Sequence, residues 1–191
     1  MTTTPLHRLL SYITLSAATL LGACADRAPA GPDRVTAFPA SINASQTPNL
    51  DACPQLDADE NMKLAYHVYA RGVQIYRWTG TAWALKGPDA VLSADRGGHS
   101  VVGTHYEGPK WESNSGSVVS ASVKARCTVD PNAVQWLSLT ATSEGPGVFG
   151  NVVFIQRVNT AGGKEPATPG ASVGVEVRVP YTTEYYFYRA K

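Results

Sequence analysis

Apolar and polar residues alternate one by one along much of the chain after residue 60. In residues 119–129 every odd position, including Val119 and Cys127, is apolar and every even position is polar. Successive side chains of a strand point to opposite faces of a sheet, so this pattern predicts a strand with one buried and one solvated face. It also predicts that Cys127 points inward.

The same signal recurs at intervals that suit short strands joined by tight turns. Alternation or β-rich composition predicts further strands in residues 64–70, 73–78, 82–85, 100–104, 136–142, 152–158, 173–179 and 182–188. Turn-forming residues predict turns at 79–81, 95–98, 113–116 and 145–147 and a loop at 159–170. No helical stripe of three turns is visible, although residues 57–64 could make a short helix. Residues 61–191 are therefore predicted to form one all-β domain, a single antiparallel β-sandwich or barrel-like fold.

The N-terminal segment has a different pattern, which is typical of an export signal. Arg8 precedes an apolar run over residues 9–23 that is too short to span a membrane, and small residues then lead into Cys24. Residues 21–24, Leu-Gly-Ala-Cys, resemble the lipobox of bacterial lipoproteins, in which the signal is cut before a lipid-modified cysteine. We therefore predict a lipoprotein signal peptide in residues 1–23 and lipidation of Cys24. An ordinary cleaved signal is the alternative.

Residues 24–60 contain five prolines and scarcely any apolar periodicity, which predicts a flexible, lipidated tether. The expected location is the bacterial cell envelope, with the domain held to a membrane through the lipid on Cys24. Ala25 follows the cysteine, where an aspartate would favour retention in the inner membrane. We therefore expect the outer membrane, with the domain facing the periplasm or the cell surface.

The charge of the chain narrows the range of expected partners. The chain has 16 Lys and Arg residues and 15 Asp and Glu residues, and cleavage before Cys24 removes one cation, Arg8, and no acid. The mature chain lacks the basic field that draws nucleic acid, so no nucleic-acid partner is expected.

Cys53 and Cys127 are an even pair in an oxidising compartment and are predicted to form a disulfide. Two buried free thiols are the alternative.

Two motifs that often bind cofactors do not fit their surroundings. Residues 145–150 match the G-x-G-x-x-G pattern of dinucleotide-binding folds, but the residues that follow are β-branched and aromatic and do not predict the required helix. We interpret this stretch as a glycine-rich hairpin. His99 and His105 would lie about 20 Å apart on an extended strand, too far to share a metal ion. No cofactor and no metal are therefore expected.

The densest group of polar and aromatic residues surrounds a Gly-Pro turn in residues 105–112. A turn there would bring an imidazole, an indole and carboxylates together, and these are the components of a small ligand site. The candidate ligand-binding residues are His105, Tyr106, Glu107, Trp111, Glu112 and Arg157. In the alternative, structural interpretation, Trp111 fills the core and Glu112 pairs with a base such as Arg157. Convergence of His105, Glu112 and Arg157 in space would favour the ligand site.

Short motifs spread over residues 65–188 resemble those of one known family. They are Gly-Val-Gln-Ile-Tyr at 72–76, Gly-Pro-Asp-Ala at 87–90, His-Tyr-Glu-Gly-Pro-Lys-Trp-Glu at 105–112, Trp-Leu at 136–137, Ile-Gln-Arg-Val-Asn-Thr at 155–160, Gly-Gly at 162–163, Val-Pro-Tyr at 179–181 and Tyr-Tyr-Phe-Tyr at 185–188. On these residues the chain resembles the exported domain-of-unknown-function family 3455. The resemblance implies export and a shared architecture, and it implies no activity. Members often have cysteine at the position of Trp78 and another near Gly170, so the absence of both here implies a lost disulfide between those segments.

Together these features predict a non-enzymatic, lipid-anchored envelope protein that binds a ligand or a protein partner. The alternative is a hydrolase or metal-assisted enzyme that uses residues 105–112. The chain has no G-x-S-x-G motif and no carboxylate pair typical of a glycosidase, so no residue is assigned a catalytic role.

Overall fold

A computed structural model of the protein describes residues 46–191. The predicted signal peptide, the predicted lipidation site Cys24 and the first part of the predicted tether lie outside the described residues. A short 3-10 helix, Pro54–Leu56, is followed by eight strands: β1 Met62–Trp78, β2 Trp83–Ser93, β3 Val101–Tyr106, β4 Lys110–Ser113, β5 Val118–Cys127, β6 Trp136–Ser143, β7 Val152–Gly162 and β8 Glu176–Ala190. The described part of the chain has no α-helix, so the all-β prediction is confirmed. Residues 57–64, where a short helix was considered, instead lead into β1.

All neighbouring strands pair antiparallel, and their order in space follows their order in the chain. β8 also pairs with β1, for example Tyr188 with Leu64 and Glu176 with Arg77, so the single sheet closes on itself as a barrel does. The structure therefore favours the barrel-like arrangement over the sandwich. Closure removes the unpaired edges that an open sheet would present to other chains.

The inner face of the ring forms the main hydrophobic core. Near its centre the ring of Phe187 lies 6.1 Å from that of Trp111 and 5.0 Å from that of Phe149. Buried side chains from six strands fill the surrounding space: Val68, Leu92, Val119, Leu139, Ile155 and Tyr185. Burial of one such side chain contributes about 1.5 to 3 kcal/mol, so this core is a major source of the stability of the fold.

A second hydrophobic cluster covers part of the outer face. Leu50, Cys53 and Leu56 are buried against outward-facing side chains of β7 and β8 that include Phe154 and Tyr188. Cys53 and Cys127 form the predicted disulfide, with their Cα atoms 6.0 Å apart and a sequence separation of 74. Residues 50–56, which were assigned to the tether, therefore belong to the folded unit.

The direction of Cys127 differs from the prediction because β5 contains a bulge. The pairing of β5 with β6 shifts register between Val123 and Ala125. One extra residue in a strand exchanges the two faces for all the residues that follow. Val123 therefore faces the interior of the ring, whereas Cys127 faces the outer cluster and reaches Cys53.

The loop between β7 and β8 returns to the end of β1. A Cβ atom built on Gly170 would lie 2.6 Å from the Cβ atom of Trp78. The two positions at which the family resemblance implies a lost disulfide are thus adjacent in space.

The first part of the strand predicted at residues 173–179 belongs to this loop, because β8 begins at Glu176. Residues 145–150 lie in the connection between antiparallel strands β6 and β7, as a glycine-rich hairpin requires.

Candidate functional site

One end of the ring contains a cavity of about 110 Å³, which we call the end cavity. It lies on the side of the β3–β4 turn, since Pro109 of that turn is among its lining residues. Its apolar walls are Leu85, Pro88, Pro109, Val123, Leu137 and Leu139. A wider depression of about 530 Å³, which we call the mouth, adjoins the cavity and shares Leu85, Val123, Leu137 and Arg157 with it.

Three aromatic rings form the inner wall of the end cavity. His105 of β3 and Trp111 of β4 face each other across the two strands, and their rings stack with centroids 4.2 Å apart and an interplanar angle of 8°. Tyr185 of β8 packs edge-on against both, at 5.1 Å from His105 and 5.2 Å from Trp111. His105 is 3% exposed and Trp111 is 1% exposed. The sheet therefore holds these rings in place before any ligand arrives.

His105 is a neutral hydrogen-bonding group in this setting. Its Nδ1 atom lies 2.8 Å from the carbonyl oxygen of Lys110, which can only accept, so Nδ1 carries the hydrogen. Burial lowers the pKa of His105 to about 3, and the hydrogen bond to Lys110 only partly opposes this effect. At neutral pH the Nε2 atom is therefore an acceptor with a free lone pair.

The cavity also contains buried donors without well-formed protein partners. Within residues 46–191, no group accepts a hydrogen bond from the indole Nε1–H of Trp111. In the same described range, the amide nitrogen of Gln74 and the hydroxyls of Tyr181 and Tyr185 make no hydrogen bond of ordinary geometry. Tyr185 nevertheless interacts with Tyr181 and Arg157, and Tyr181 interacts with Gln74. Burial raises the pKa of Tyr181 and Tyr185, so both hydroxyls stay protonated and can donate.

Arg157 of β7 supplies the positive charge of the end cavity. Its Nε and Nη2 atoms lie 3.1 and 2.8 Å from the carbonyl oxygen of Gln135, which fixes the guanidinium between cavity and mouth. After burial, which is the largest cause, the charge of Arg157 also disfavours protonation of His105 and lowers its pKa further. The same charge partly offsets the effect of burial on the pKa of Tyr185.

Three of the predicted site residues lie elsewhere. Trp111 points inward, so its neighbour Glu112 points outward, where it accepts a hydrogen bond of 2.9 Å from the hydroxyl of Tyr106. Glu107 is exposed in the turn between β3 and β4. The expected convergence is therefore limited to His105 and Arg157. Glu112 is excluded from it because adjacent residues of a strand face opposite sides of the sheet.

A second polar cluster, which the sequence analysis missed, lies on the outer face around Glu184. The Oε1 atom of this carboxylate is 2.8 Å from Arg96 Nη2, and its Oε2 atom is 2.8 Å from His67 Nε2 and 3.1 Å from the hydroxyl of Tyr186. Burial alone would raise the pKa of Glu184, but the hydrogen bonds from His67 and Tyr186 and the charge of Arg96 lower it. Both oxygens of the carboxylate are occupied, so this cluster is already satisfied by the protein itself.

The cavity residues that sequence reasoning missed include Gln74, Leu85 and Tyr185. Gln74 is 1% exposed within β1, and its only signal is a polar residue on the inward face of that strand, where Val68 and Ala70 are apolar. Tyr185 stands in a run of aromatic residues that shows no simple alternation. Gln74 and Tyr185 line the same cavity as His105 because the pairing of β1 with β8 closes the ring.

Two searches for other kinds of site concern residues 46–191 only. In this range no group of three or more His, Cys, Asp and Glu side chains is arranged to hold a metal ion. The same range includes no helix with the length and apolar character needed to cross a bilayer.

One comparison with known proteins gives a match. The family model described as "Protein of unknown function (DUF3455)" matches residues 58–189, a range that contains every residue lining the end cavity. No significant match was found among the curated proteins or among the solved structures.

Proposed function

Since the chain belongs to the DUF3455 family of proteins of unknown function, we propose its role from its own geometry: it is a binding protein of the cell envelope that holds a small ligand in the end cavity. The observation that supports this proposal is the buried indole N–H of Trp111, which lines the cavity without a partner among residues 46–191. A buried donor left unsatisfied costs about 1 to 3 kcal/mol. A ligand acceptor would remove this cost, so the free donor favours occupancy.

The apolar entrance supports the same proposal. Leu85 is 57% exposed and Val123 is 36% exposed, and both line the cavity as well as the mouth. Single exposed apolar residues are common on protein surfaces. Here, however, the two side chains flank an opening that continues into a buried cavity. An apolar lining with a few polar groups at the inner wall is the usual composition of a small-molecule site.

Binding is better supported than hydrolysis. A hydrolase that used residues 105–112 would need a carboxylate of that segment beside His105. Glu112 lies on the opposite face of the sheet, and Nδ1 of His105 is already bonded to a backbone carbonyl. The imidazole is therefore placed to accept a hydrogen bond from a ligand.

The binding proposal is tested with the neutral fluorophore N-phenyl-1-naphthylamine, which brightens in apolar surroundings. We expect the wild-type domain to bind it. Val123→Trp fills the entrance and should weaken binding at least tenfold. Val91→Trp adds the same ring at a position of similar exposure, 43%, on the outer face, and should leave binding unchanged.

Leu85→Trp is a second blocking variant, and thermal melting verifies that each variant is folded. Equal binding by wild type and by both folded blocking variants would contradict the proposal. Absence of binding by the wild type would contradict it as well.

The location in the envelope is part of the same proposal and depends on the N-terminal sequence alone. The order of Arg8, an apolar run and a small-residue approach to Cys24 supports lipid attachment to that cysteine. Expression in a bacterium fed labelled palmitate should label the wild type and leave Cys24→Ser unlabelled. Equal labelling of the two proteins would exclude lipidation at Cys24.

A further inference from the structure

The charged side chains that line the end cavity and the mouth are mainly of one sign. No aspartate or glutamate lines the end cavity, and Arg157 is the charged residue in its wall. The mouth adds Arg126 and Lys164, against one acid, Glu165. The chain as a whole has a formal net charge of only +1, so this end is locally positive.

These three cations are also free of carboxylate partners. Within residues 46–191 the lysines and arginines in ion pairs are Lys86, Arg96, Lys110, Lys124 and Arg178. By contrast, Arg157 and Lys164 donate to backbone carbonyl oxygens, those of Gln135 and Pro131. A carbonyl carries no full negative charge, so among the described residues that line the end cavity and the mouth Glu165 is the one acid that opposes these three cations.

The groups inside the cavity are suited to an oxyanion. Arg157 uses Nε and Nη2 for Gln135, and its guanidinium also interacts with the hydroxyl of Tyr185. Within residues 46–191 the indole N–H of Trp111 is a neutral donor without a hydrogen bond. Hydrogen bonds from such donors are roughly twice as strong when the acceptor is charged, and arginine binds carboxylates with matched geometry.

The size and walls of the cavity limit the rest of the ligand. The enclosed part is about 110 Å³. A dry cavity of about 150 Å³ accommodates benzene, so the enclosed part suits an apolar body no larger than one ring or a short chain, with any remainder in the mouth. Leu85, Val123 and Leu137 would contact that body.

Building on the proposed function, we propose that the end cavity binds a small organic carboxylate with an apolar body, whose negative group is held at Arg157. Neutral molecules of the same shape bind more weakly, because they do not interact with the unpaired positive charge at the cavity and mouth. A cavity that binds neutral molecules as tightly as carboxylates would still be a binding site, but its ligand would belong to another class.

The test compares two probes of equal shape, phenylacetate and phenylacetamide, which differ in charge. Displacement of N-phenyl-1-naphthylamine and calorimetric titration are both measured at low salt. We expect phenylacetate to bind the wild type at least tenfold more tightly than the amide. In Arg157→Gln this preference should fall to about one, while the neutral fluorophore still binds.

Arg71→Gln is the matched control, because it removes an exposed arginine on the outer face. It should keep the full preference for the acid. Arg126→Gln and Lys164→Gln change exposed cations of the mouth and should each lower the preference several-fold. These two variants test whether the preference for the acid depends on the positive charge, even if Arg157→Gln does not fold.

The outcomes distinguish the two proposals. If the fluorophore binds but acid and amide compete equally, or if the cation variants keep the preference of the wild type, the carboxylate class is wrong and the binding function stands. If neither the fluorophore nor phenylacetate binds, both proposals are wrong.

Discussion

His105 and Glu112 belong to one short segment, yet the sheet separates them. His105 is paired across the strands with Trp111, and both face the cavity, whereas Glu112 faces out and is bonded to Tyr106. A search that counts polar and aromatic residues within a window cannot distinguish these two faces. The useful residue-scale signal is instead a polar side chain at an inward position, as at Gln74 and His105.

Burial of His105 predicts a pH dependence of stability. The pKa is about 3 in the folded protein and about 6.5 in an unfolded chain. Above pH 6.5 both states are neutral and His105 makes no difference. Between pH 6.5 and 3 only the unfolded state takes up the proton, so the free energy of unfolding falls as pH decreases, by up to about 1.4 kcal/mol per pH unit.

Urea denaturation at pH 7, 6 and 5 measures this slope. His105→Asn keeps a donor for the Lys110 carbonyl and should give a flatter profile than the wild type. His99→Asn, which changes an exposed histidine, is the control and should retain the slope of the wild type. An unchanged slope in His105→Asn would show that the imidazole is not held neutral by burial.

At the scale of elements, the loop between β7 and β8 is anchored by contact rather than by a covalent bond. Gly170 lies against Trp78 at the end of β1. The hydrogen bonds from Trp78 N to Val175 O and from Gly174 N to Trp78 O, of 2.9 and 2.8 Å, tie the same loop to the strand. This geometry explains how the chain keeps the loop in position without the two cysteines that the family often has there.

The same contact predicts that a second disulfide can be restored. Trp78→Cys combined with Gly170→Cys should form a bond on oxidation, since their Cβ atoms would start 2.6 Å apart and need to separate only by about 1 Å. Intact mass should lie about 4 Da below that of the fully reduced double variant, because the native bridge and the new bond each remove about 2 Da, and the melting temperature should rise on oxidation. Thr79→Cys with Gly170→Cys moves one thiol by one residue and is the control. Two free thiols in the oxidised Trp78→Cys, Gly170→Cys protein would contradict the adjacency.

At the scale of the whole folded domain, residues 50–56 and the ring pack together as one unit. Leu50, Cys53 and Leu56 pack on the outer face, and the Cys53–Cys127 disulfide closes a loop across a sequence separation of 74. In the chain-entropy model a bridge over a loop of this length adds about 4 kcal/mol to the free energy of unfolding. The bridge therefore stabilises a domain whose core lies mainly inside the ring.

Removal of the bridge should lower the stability of the entire domain. We expect Cys53→Ala with Cys127→Ala to melt roughly 10 to 15 °C below the wild type, in a single cooperative transition. Wild type treated with a reductant is the control, because it loses the bond and keeps both cysteine side chains, and it should show a similar loss. A change of less than about 2 °C in both proteins would mean that the bridge does not restrict the unfolded chain.

The sequence by itself determined the features that depend on local periodicity and on residue counts. Alternation with a period of two established the all-β class and most of the strands, because the pattern of burial follows directly from strand geometry. An even pair of cysteines after a predicted export signal predicted the Cys53–Cys127 bridge, which the structure contains. The glycines of residues 145–150 and the absence of a helical pattern after them identified the connection between β6 and β7 as a hairpin.

Only the tertiary structure decided the features that join distant parts of the chain. The bulge between Val123 and Ala125 turned Cys127 outward, and no local pattern marks it, since the alternation continues unbroken through those residues. The pairing of β8 with β1 closed the ring and brought Tyr185 and Gln74 to His105. Closure depends on the twist and stagger of all eight strands together, so a cavity assembled by it has no signature in any single segment.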